Sequence, residues 1–203
     1  SGGVAVLWFV SLVSFGAFGY WQDSIDLLIF TLVSVGFAVL IGFPLAIWMG
    51  VSARATRWIT LGLDLLQTLP TFVYLIPFVI LFGVGPATAV LCTLAYALPP
   101  IIRISGFGIR DVSPTVIEAT DSLGQKTWQR LLKVQIPMAR KTIIVGLNQT
   151  ILAALAMAII ASYVNGPGLG RPVLAALTQN DFGRGLVPGL LIVVMGIMLD
   201  RMT

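Results

Sequence analysis

Long apolar runs separated by short polar stretches predict a chain of membrane-spanning helices. A helix that crosses the hydrocarbon core of a bilayer needs about 20 mostly apolar residues. Runs of roughly this length occur at 4–20, 25–51, 61–84, 86–104, 142–164 and 186–200. We therefore predict an all-α fold, a polytopic helical bundle of about six spans.

The third run, 61–84, is the least regular of the six. Pro70 and Pro77 interrupt it, and a proline inside a helix removes a hydrogen bond and clashes with the preceding turn. Asp64 and Gln67 add polar side chains near its start. Two interpretations stay open: a span that is broken at its prolines, or a stretch, 59–66, that lies along the membrane interface.

The composition agrees with a protein that is surrounded by lipid. Charged residues make up 10% of the chain, whereas a soluble domain carries roughly 25%. The net charge of +4 comes from basic residues spread over short loops, with no soluble basic domain. This distribution argues against a nucleic-acid partner.

The basic residues also predict the orientation of the chain. With the start of the chain inside, ten of the 12 Lys and Arg residues fall in inner loops, and only Arg171 and Arg184 fall in outer ones. Loops rich in Lys and Arg stay in the cytoplasm. We therefore place the long polar stretch at 103–141, here named the charged segment, between spans four and five on the cytoplasmic side.

The first part of the charged segment has the signals of a short helix. Ser113 is a suitable N-cap, and Pro114 suits the first turn, where its missing N–H needs no partner. Glu118 and Asp121 lie early, where the helix dipole favours acidic residues. Gly124 can adopt the left-handed conformation that ends a helix.

A second short helix is predicted at 128–135, with Thr127 as its cap and Pro137 after its end. Trp128 and Leu131 share a face of this helix among basic residues. The apolar face suits an anchor for a partner protein, and an amphipathic helix that rests on anionic lipid is the alternative.

The spacing within the charged segment resembles the cytoplasmic signature of ATP-binding-cassette (ABC) importer permeases. That signature reads Glu-Ala-Ala, three residues, Gly, nine residues, Ile-x-Leu-Pro. The matching positions are Glu118, Ala119, Gly124 and Pro137, and the departures are Thr120, Val134 and Ile136.

The spans resemble permeases for glycine betaine and proline betaine in particular. The matching stretches are 67–77, 81–85, 97–103, 146–150, 161–162 and 166–170. The resemblance covers about 22–202. It implies a type I importer transmembrane domain at 22–203, and the apolar run at 4–20 predicts a leading transmembrane helix at 1–21.

The resemblance further implies a multi-pass protein of the bacterial inner membrane that works as an assembly. Its expected partners are a second copy of this subunit, ABC ATPase subunits, and an extracytoplasmic substrate-binding protein or fused domain. ATP and Mg would be bound by the ATPase, with no cofactor on this chain. The residues expected to couple to the ATPase are Glu118, Ala119, Gly124, Trp128, Leu131 and Pro137.

Polar and aromatic residues within the spans are candidates for the translocation pathway. Polar groups in a membrane usually face a pathway or another helix, so Gln67, Thr68, Asn148, Gln149 and Thr150 fit either a pathway, a dimer contact or interhelical hydrogen bonds. Aromatic faces attract quaternary ammonium groups, which makes Phe72, Tyr74, Tyr96 and Tyr163 candidates. Such residues also form interfacial belts and fill helix contacts.

The chain lacks the residue patterns of an enzyme. It has no histidine, one cysteine, and no Gly-rich phosphate loop with a lysine, so no metal or ATPase site is predicted. The expected function is an osmoprotectant permease subunit. Alternatives are a permease for choline, carnitine or an amino acid, a stand-alone channel or carrier, or a membrane enzyme. A channel has no need of the signature in the charged segment, and no constellation of residues points to an enzyme.

Overall fold

The computed structural model of the protein describes residues 2–202, with the side chains of all of them except residues 2–4 and 7. The described part is mostly helical, and it contains no strand. The helices are α1 (Gly2–Ala17), α2 (Trp21–Val51), α3 (Ala53–Thr68), α4 (Leu75–Phe82), α5 (Pro86–Arg110), α6 (Pro114–Ser122), α7 (Thr127–Arg130), α8 (Ile136–Met138), α9 (Arg140–Ala156), α10 (Ala158–Ala161), α11 (Gly170–Gln179) and α12 (Phe182–Asp200).

Several helices extend beyond the predicted spans. α2 begins four residues before the predicted start at residue 25, and α5 continues to Arg110, beyond the predicted end at residue 104. The first residues of the charged segment are therefore the last two turns of α5. α12 likewise begins at Phe182, before the predicted start at residue 186.

Small residues on α2 let it pack closely against α5 at the centre of the bundle. A buried stripe recurs every fourth residue along α2, at Ser34, Ala38, Gly42, Ala46 and Gly50. A Cβ added at Gly42 would lie 2.5 Å from Cγ2 of Ile101, and one at Gly50 would lie 2.7 Å from Cγ2 of Ile109. Such stripes bring helix backbones together where van der Waals packing, rather than the hydrophobic effect, drives association in lipid.

The third predicted span is broken after α3. The axes of α3 and of the helical stretch Thr71–Phe82 differ by 107°, and the break falls at Leu69 and Pro70, which are both extended. Pro77 causes no break, because it lies in the first turn of α4.

The broken segment nevertheless follows α5 along its length in the opposite direction. Four side-chain contacts, in order from α3 to the end of α4, are Arg110 Nη1 with Thr56 Oγ1 at 2.6 Å, Arg103 Nη2 with Asp64 Oδ1 at 2.5 Å, Cys92 Sγ with the Tyr74 carbonyl at 3.8 Å, and Thr88 Oγ1 with the Gly83 carbonyl at 2.6 Å. α3 therefore lies beside the C-terminal half of α5, and the stretch that contains α4 lies beside its N-terminal half.

The fifth predicted span is also interrupted. α9 and the stretch Ala158–Val164 differ in direction by 41° around Met157. The glycine-rich turn that follows approaches α2 so closely that a Cβ at Gly168 would lie 2.7 Å from the backbone of Leu27. A short helix, α11, follows this turn and packs on α12.

Candidate coupling and translocation sites

The charged segment folds into short helices whose starts are close to those predicted. α6 begins at Pro114 after Ser113, although the Ser113 side chain makes no capping hydrogen bond. The cap of α7 is Lys126, one residue earlier than the predicted Thr127. The side chain of Gln129 stabilises this start, because its Oε1 accepts from the Lys126 N–H at 2.9 Å.

Gly124 forms the turn between the two helices in the left-handed conformation that its residue type predicts. Its φ is +70°, and its N–H donates to the Asp121 carbonyl at 3.0 Å. A Cβ at this exposed position would meet no atom within 4 Å. The turn therefore requires glycine because of the backbone conformation and not because of crowding.

An ion pair connects the two helices on either side of this turn. Nη1 of Arg130 lies 2.5 and 2.7 Å from the two carboxylate oxygens of Asp121. The Arg130 side chain is only 20% exposed, so it lies along the segment instead of extending into solvent. The pair and the Gly124 turn together give the charged segment a defined shape.

The prediction that helix 128–135 ends before Pro137 is wrong. A π-helical turn, Leu131–Gln135, follows α7 and leads directly into α8, with Pro137 in the first turn of α8. Because Pro137 has no N–H to donate, the backbone hydrogen bonds of the turn before it take the wider π-helical pattern. In this turn the Ile136 N–H donates to the Leu131 carbonyl, five residues earlier.

The charged segment exposes large apolar side chains. Trp128 is 57% exposed and Leu132, one turn later, is 55% exposed. Leu123, beside Gly124, is 79% exposed. This residue was not predicted as part of the exposed apolar surface, although an apolar side chain next to a turn was a signal for it. Leu131, predicted as part of the anchor, is half-buried, whereas Glu118 and Ala119 are exposed on α6.

The start and the end of the charged segment contact each other where the segment meets α5 and α9; this region is its base. Buried Gln135 donates from Nε2 to the Ile109 carbonyl at 3.4 Å, and a Cβ at Gly108 would lie 2.7 Å from the Thr142 side chain. A cleft of about 780 Å³ opens beside this contact. A displacement of the charged segment would therefore act on α5 and α9 together.

Among the pathway candidates, Gln67, Tyr74 and Tyr96 border one cavity of about 240 Å³. The remaining residues around it are Leu66, Pro99, Pro100 and Ala153. Tyr74 is 5% exposed, and its hydroxyl donates to the Leu66 carbonyl across the break after α3. The Tyr74 and Tyr96 rings meet edge to face with centroids 6.4 Å apart.

Two further aromatic candidates form a separate pair. The Phe72 and Tyr163 rings also meet edge to face, with centroids 5.4 Å apart, and both are exposed. Thr68 is exposed, and its hydroxyl donates to the Leu65 carbonyl of its own helix.

The three polar candidates on α9 have different environments. Thr150 is fully buried, and its hydroxyl donates to the Gly146 carbonyl at 2.8 Å. Nδ2 of Asn148 lies 3.5 Å from Oδ1 of Asp200 on α12. Gln149 is exposed one turn before Ala153, on the side of α9 that borders the cavity with Gln67 and Tyr74.

Known proteins resemble this chain over nearly its whole length. A family described as the binding-protein-dependent transport system inner membrane component matches residues 38–203. The glycine betaine/proline betaine transport system permease of Escherichia coli is 44% identical over 201 residues, which are 99% of this chain and 57% of that protein. The chain thus spans little more than half of this relative.

Two other relatives are covered more fully. The glycine betaine transport system permease of Bacillus subtilis is 41% identical, and the glycine betaine/carnitine transport permease of Listeria monocytogenes is 42% identical. Each alignment includes 99% of this chain and 71% of the relative.

Solved structures share the fold. A methionine ABC transporter in an inward-facing conformation superimposes with a TM-score of 0.77 at 20% identity, covering 87% of this chain and 88% of that one. An amino acid ABC transporter gives a TM-score of 0.68 at 23% identity, covering 88% and 87%.

Proposed function

We propose that this chain is the permease subunit of an ATP-driven importer for glycine betaine, proline betaine and related osmoprotectants. The chain belongs to the family of binding-protein-dependent transport system inner membrane components. The observation that carries the proposal is the charged segment. Its signature residues fold into a compact helical unit with exposed apolar side chains, joined at its base to α5 and α9. The names of the relatives support the substrate class.

The charged segment is the contact with the ATPase in this proposal. Trp128 and Leu132 enter an apolar groove of the ATPase, and Glu118 and Ala119 lie on the exposed part of α6. Leu131, Gly124 and Pro137 shape the unit rather than touch the partner, since Leu131 is half-buried and the other two set the backbone.

ATP and Mg are held by the ATPase, and this chain contributes no hydrolytic site. Closure of two ATPase subunits on ATP draws together the charged segments of two copies of this chain. Because each segment is connected to α5 and α9 at Ile109 and Thr142, the displacement reorients those helices and opens the pathway to the other side of the membrane.

The proposed assembly therefore has two copies of this subunit, ATPase subunits, and an extracytoplasmic binding protein or a fused binding domain. Within this chain, 1–21 is a leading helix and 22–203 is the transport domain. Gln67, Thr68, Phe72, Tyr74 and Gln149 are proposed pathway or dimer residues. Asn148 fits an interhelical contact better, because its amide lies against Asp200 of α12. Thr150 is fully buried and its hydroxyl is already bonded to the Gly146 carbonyl within α9, so it fits the helix core better than a pathway.

Uptake by the assembled transporter tests this function. The complex is reconstituted in proteoliposomes with its natural partners, and uptake of radiolabelled glycine betaine is compared with that of a complex whose ATPase cannot hydrolyse ATP. We expect uptake only with the active ATPase. Equal uptake with both would favour a channel or a carrier, and failure of any ATPase to co-purify would contradict the importer.

Competition identifies the substrate range. The Listeria monocytogenes relative is named for carnitine as well as glycine betaine, so unlabelled carnitine, choline, proline betaine and an amino acid are each added in excess. We expect the betaines to compete most strongly.

A further inference from the structure

We propose that the cavity bordered by Tyr74, Tyr96 and Gln67 is a transit site for the quaternary ammonium group of the substrate. This inference rests on the proposed function, and it assigns the chemistry of cargo recognition to residues of the permease itself. The cavity has a volume of about 240 Å³ and lies where the break after α3 meets α5 and α9.

Two tyrosine rings supply the recognition of a methylated cation. A quaternary ammonium has no N–H to donate, so aromatic faces are its natural partners in a protein. The hydroxyl of Tyr74 is engaged by the Leu66 carbonyl, and the ring packs edge to face with Tyr96. Both rings are thus fixed at the cavity before any ligand arrives, which lowers the entropic cost of binding.

The prolines of α5 add acceptors at the same level. Pro99 and Pro100 lie within α5, and neither has the N–H that would bond to the carbonyl four residues earlier. The carbonyls of Ala95 and Tyr96 therefore lack their usual helical donors. In a membrane helix such carbonyls are tolerated where the protein or a wet cavity satisfies them, and their partial negative charge favours a cation.

None of the residues that border the cavity is ionised. A zwitterion therefore meets no fixed charge that would hold it, while the exposed Gln67 amide offers N–H donors to its carboxylate. A site of this kind distinguishes the methylated ammonium from other cargo and still releases it. It suits a pathway better than a high-affinity receptor.

Substitution of Tyr96 tests the site in the assembled transporter. We expect Tyr96→Leu to lower the maximal rate of glycine betaine uptake about tenfold, the size of effect that a desolvated cation–π contact supports. Tyr96→Phe keeps the aromatic face and should retain most of the rate. Phe37→Leu, which removes an exposed aromatic ring from α2, is the matched control and should behave as the wild type.

Half-maximal uptake should occur at the same concentration of substrate-loaded binding protein in all three variants. The reason is that the binding protein captures the substrate before the permease meets it. Wild-type uptake by Tyr96→Leu, or an equal loss in Tyr96→Phe, would overturn the proposal. If Tyr96→Leu does not assemble with its ATPase, Ala153→Leu fills the cavity from α9 without changing either ring. It should lower uptake while ATPase assembly persists, and undiminished uptake would again overturn the proposal.

The wild-type transporter separates this inference from the proposed function. If the wild type takes up no glycine betaine, the proposed function fails and the transit site fails with it. If the wild type transports glycine betaine and the cavity variants do so equally well, only the transit site fails.

Discussion

The ion pair between Asp121 and Arg130 holds the two short helices of the charged segment together across the Gly124 turn. A partly exposed pair contributes about 0.2–1 kcal/mol, which is too little to unfold the bundle. It is enough to change the population of the correct segment shape by up to about fivefold. We therefore expect Asp121→Asn to leave thermal stability unchanged and to lower the uptake of substrate per ATP hydrolysed by up to that factor.

A charge exchange distinguishes pairing from a simple loss of charge. The double variant Asp121→Arg with Arg130→Asp restores an ion pair of opposite polarity and should recover part of the coupling, as measured by uptake per ATP in proteoliposomes. Asp111→Asn, which removes another exposed carboxylate of the charged segment without breaking the pair, serves as the comparison for net charge. A double variant no better than either single variant would show that the pair does not position the segment.

Gly124 gives a graded prediction, because its requirement is conformational. A non-glycine residue in the left-handed region costs roughly 1–2 kcal/mol, whereas asparagine tolerates that region better than other residues. We expect uptake to decrease in the order wild type, Gly124→Asn, Gly124→Ala, Gly124→Val. Since open space surrounds the position, equal losses for asparagine and valine would point instead to a contact with the ATPase.

The left-handed turn at Gly124 was predictable because it depends on one residue type. The Asp121–Arg130 pair was not, since its partners lie nine residues apart and meet only once the turn has its actual geometry. The hydroxyl of Tyr74 is a similar case. Its partner, the Leu66 carbonyl, is freed by a helix end that the sequence placed only approximately.

The close packing of α2 on α5 predicts that two glycines of the same helix differ sharply in tolerance. Gly50→Val places its side chain against Ile109, where a Cβ already comes within 2.7 Å; overpacking of this kind costs about 1–3 kcal/mol. Gly36→Val makes the same chemical change on α2 where a Cβ meets nothing within 4 Å.

Thermal denaturation of the purified transporter in nanodiscs measures this difference. We expect Gly50→Val to lower the melting temperature by several degrees or to prevent assembly, and Gly36→Val to have little effect. If both variants melted alike, the intrinsic helix propensity of valine, rather than packing, would explain the loss.

The break after α3 shows that prolines alone do not predict where a helix breaks. Pro70 and Pro77 both lie in the third predicted span, yet only Pro70 coincides with the 107° bend. Pro77 fits the first turn of a new helix, and its effect therefore depends on where that helix begins. The stripe from Ser34 to Gly50 was visible as a four-residue period, but its partner helix could be identified only from the fold.

The fold as a whole agrees with the resemblance that the charged segment first indicated. Its helical order and the superposition on ABC transporter subunits extend over most of the chain. Exposed apolar side chains remain along α2 and α4, such as Ile29, Leu40, Ile80 and Leu81. Lipid or a second copy of the subunit must cover them, because water would not stabilise so much exposed apolar surface.

The orientation of the bundle gives a prediction that involves every span. If the basic loops lie in the cytoplasm, the charged segment and α11 must be on opposite sides of the membrane. Cys92 is buried, and a Cys92→Ala variant removes the one cysteine of these 203 residues. Ser122→Cys and Thr178→Cys are then introduced separately into that background, at exposed hydroxyl positions on α6 and α11.

A membrane-impermeant maleimide distinguishes the two positions. In cells whose outer surface of the inner membrane is accessible, we expect the Thr178→Cys protein to be labelled and the Ser122→Cys protein to be protected; in inside-out vesicles the order should reverse. An even number of crossings between α6 and α11 would place both cysteines on one side. The labelling therefore tests whether α9 and α10 together cross the membrane despite the 41° bend at Met157. Labelling of both positions from the same side would show that they form a re-entrant segment and that the expected path of the chain is wrong.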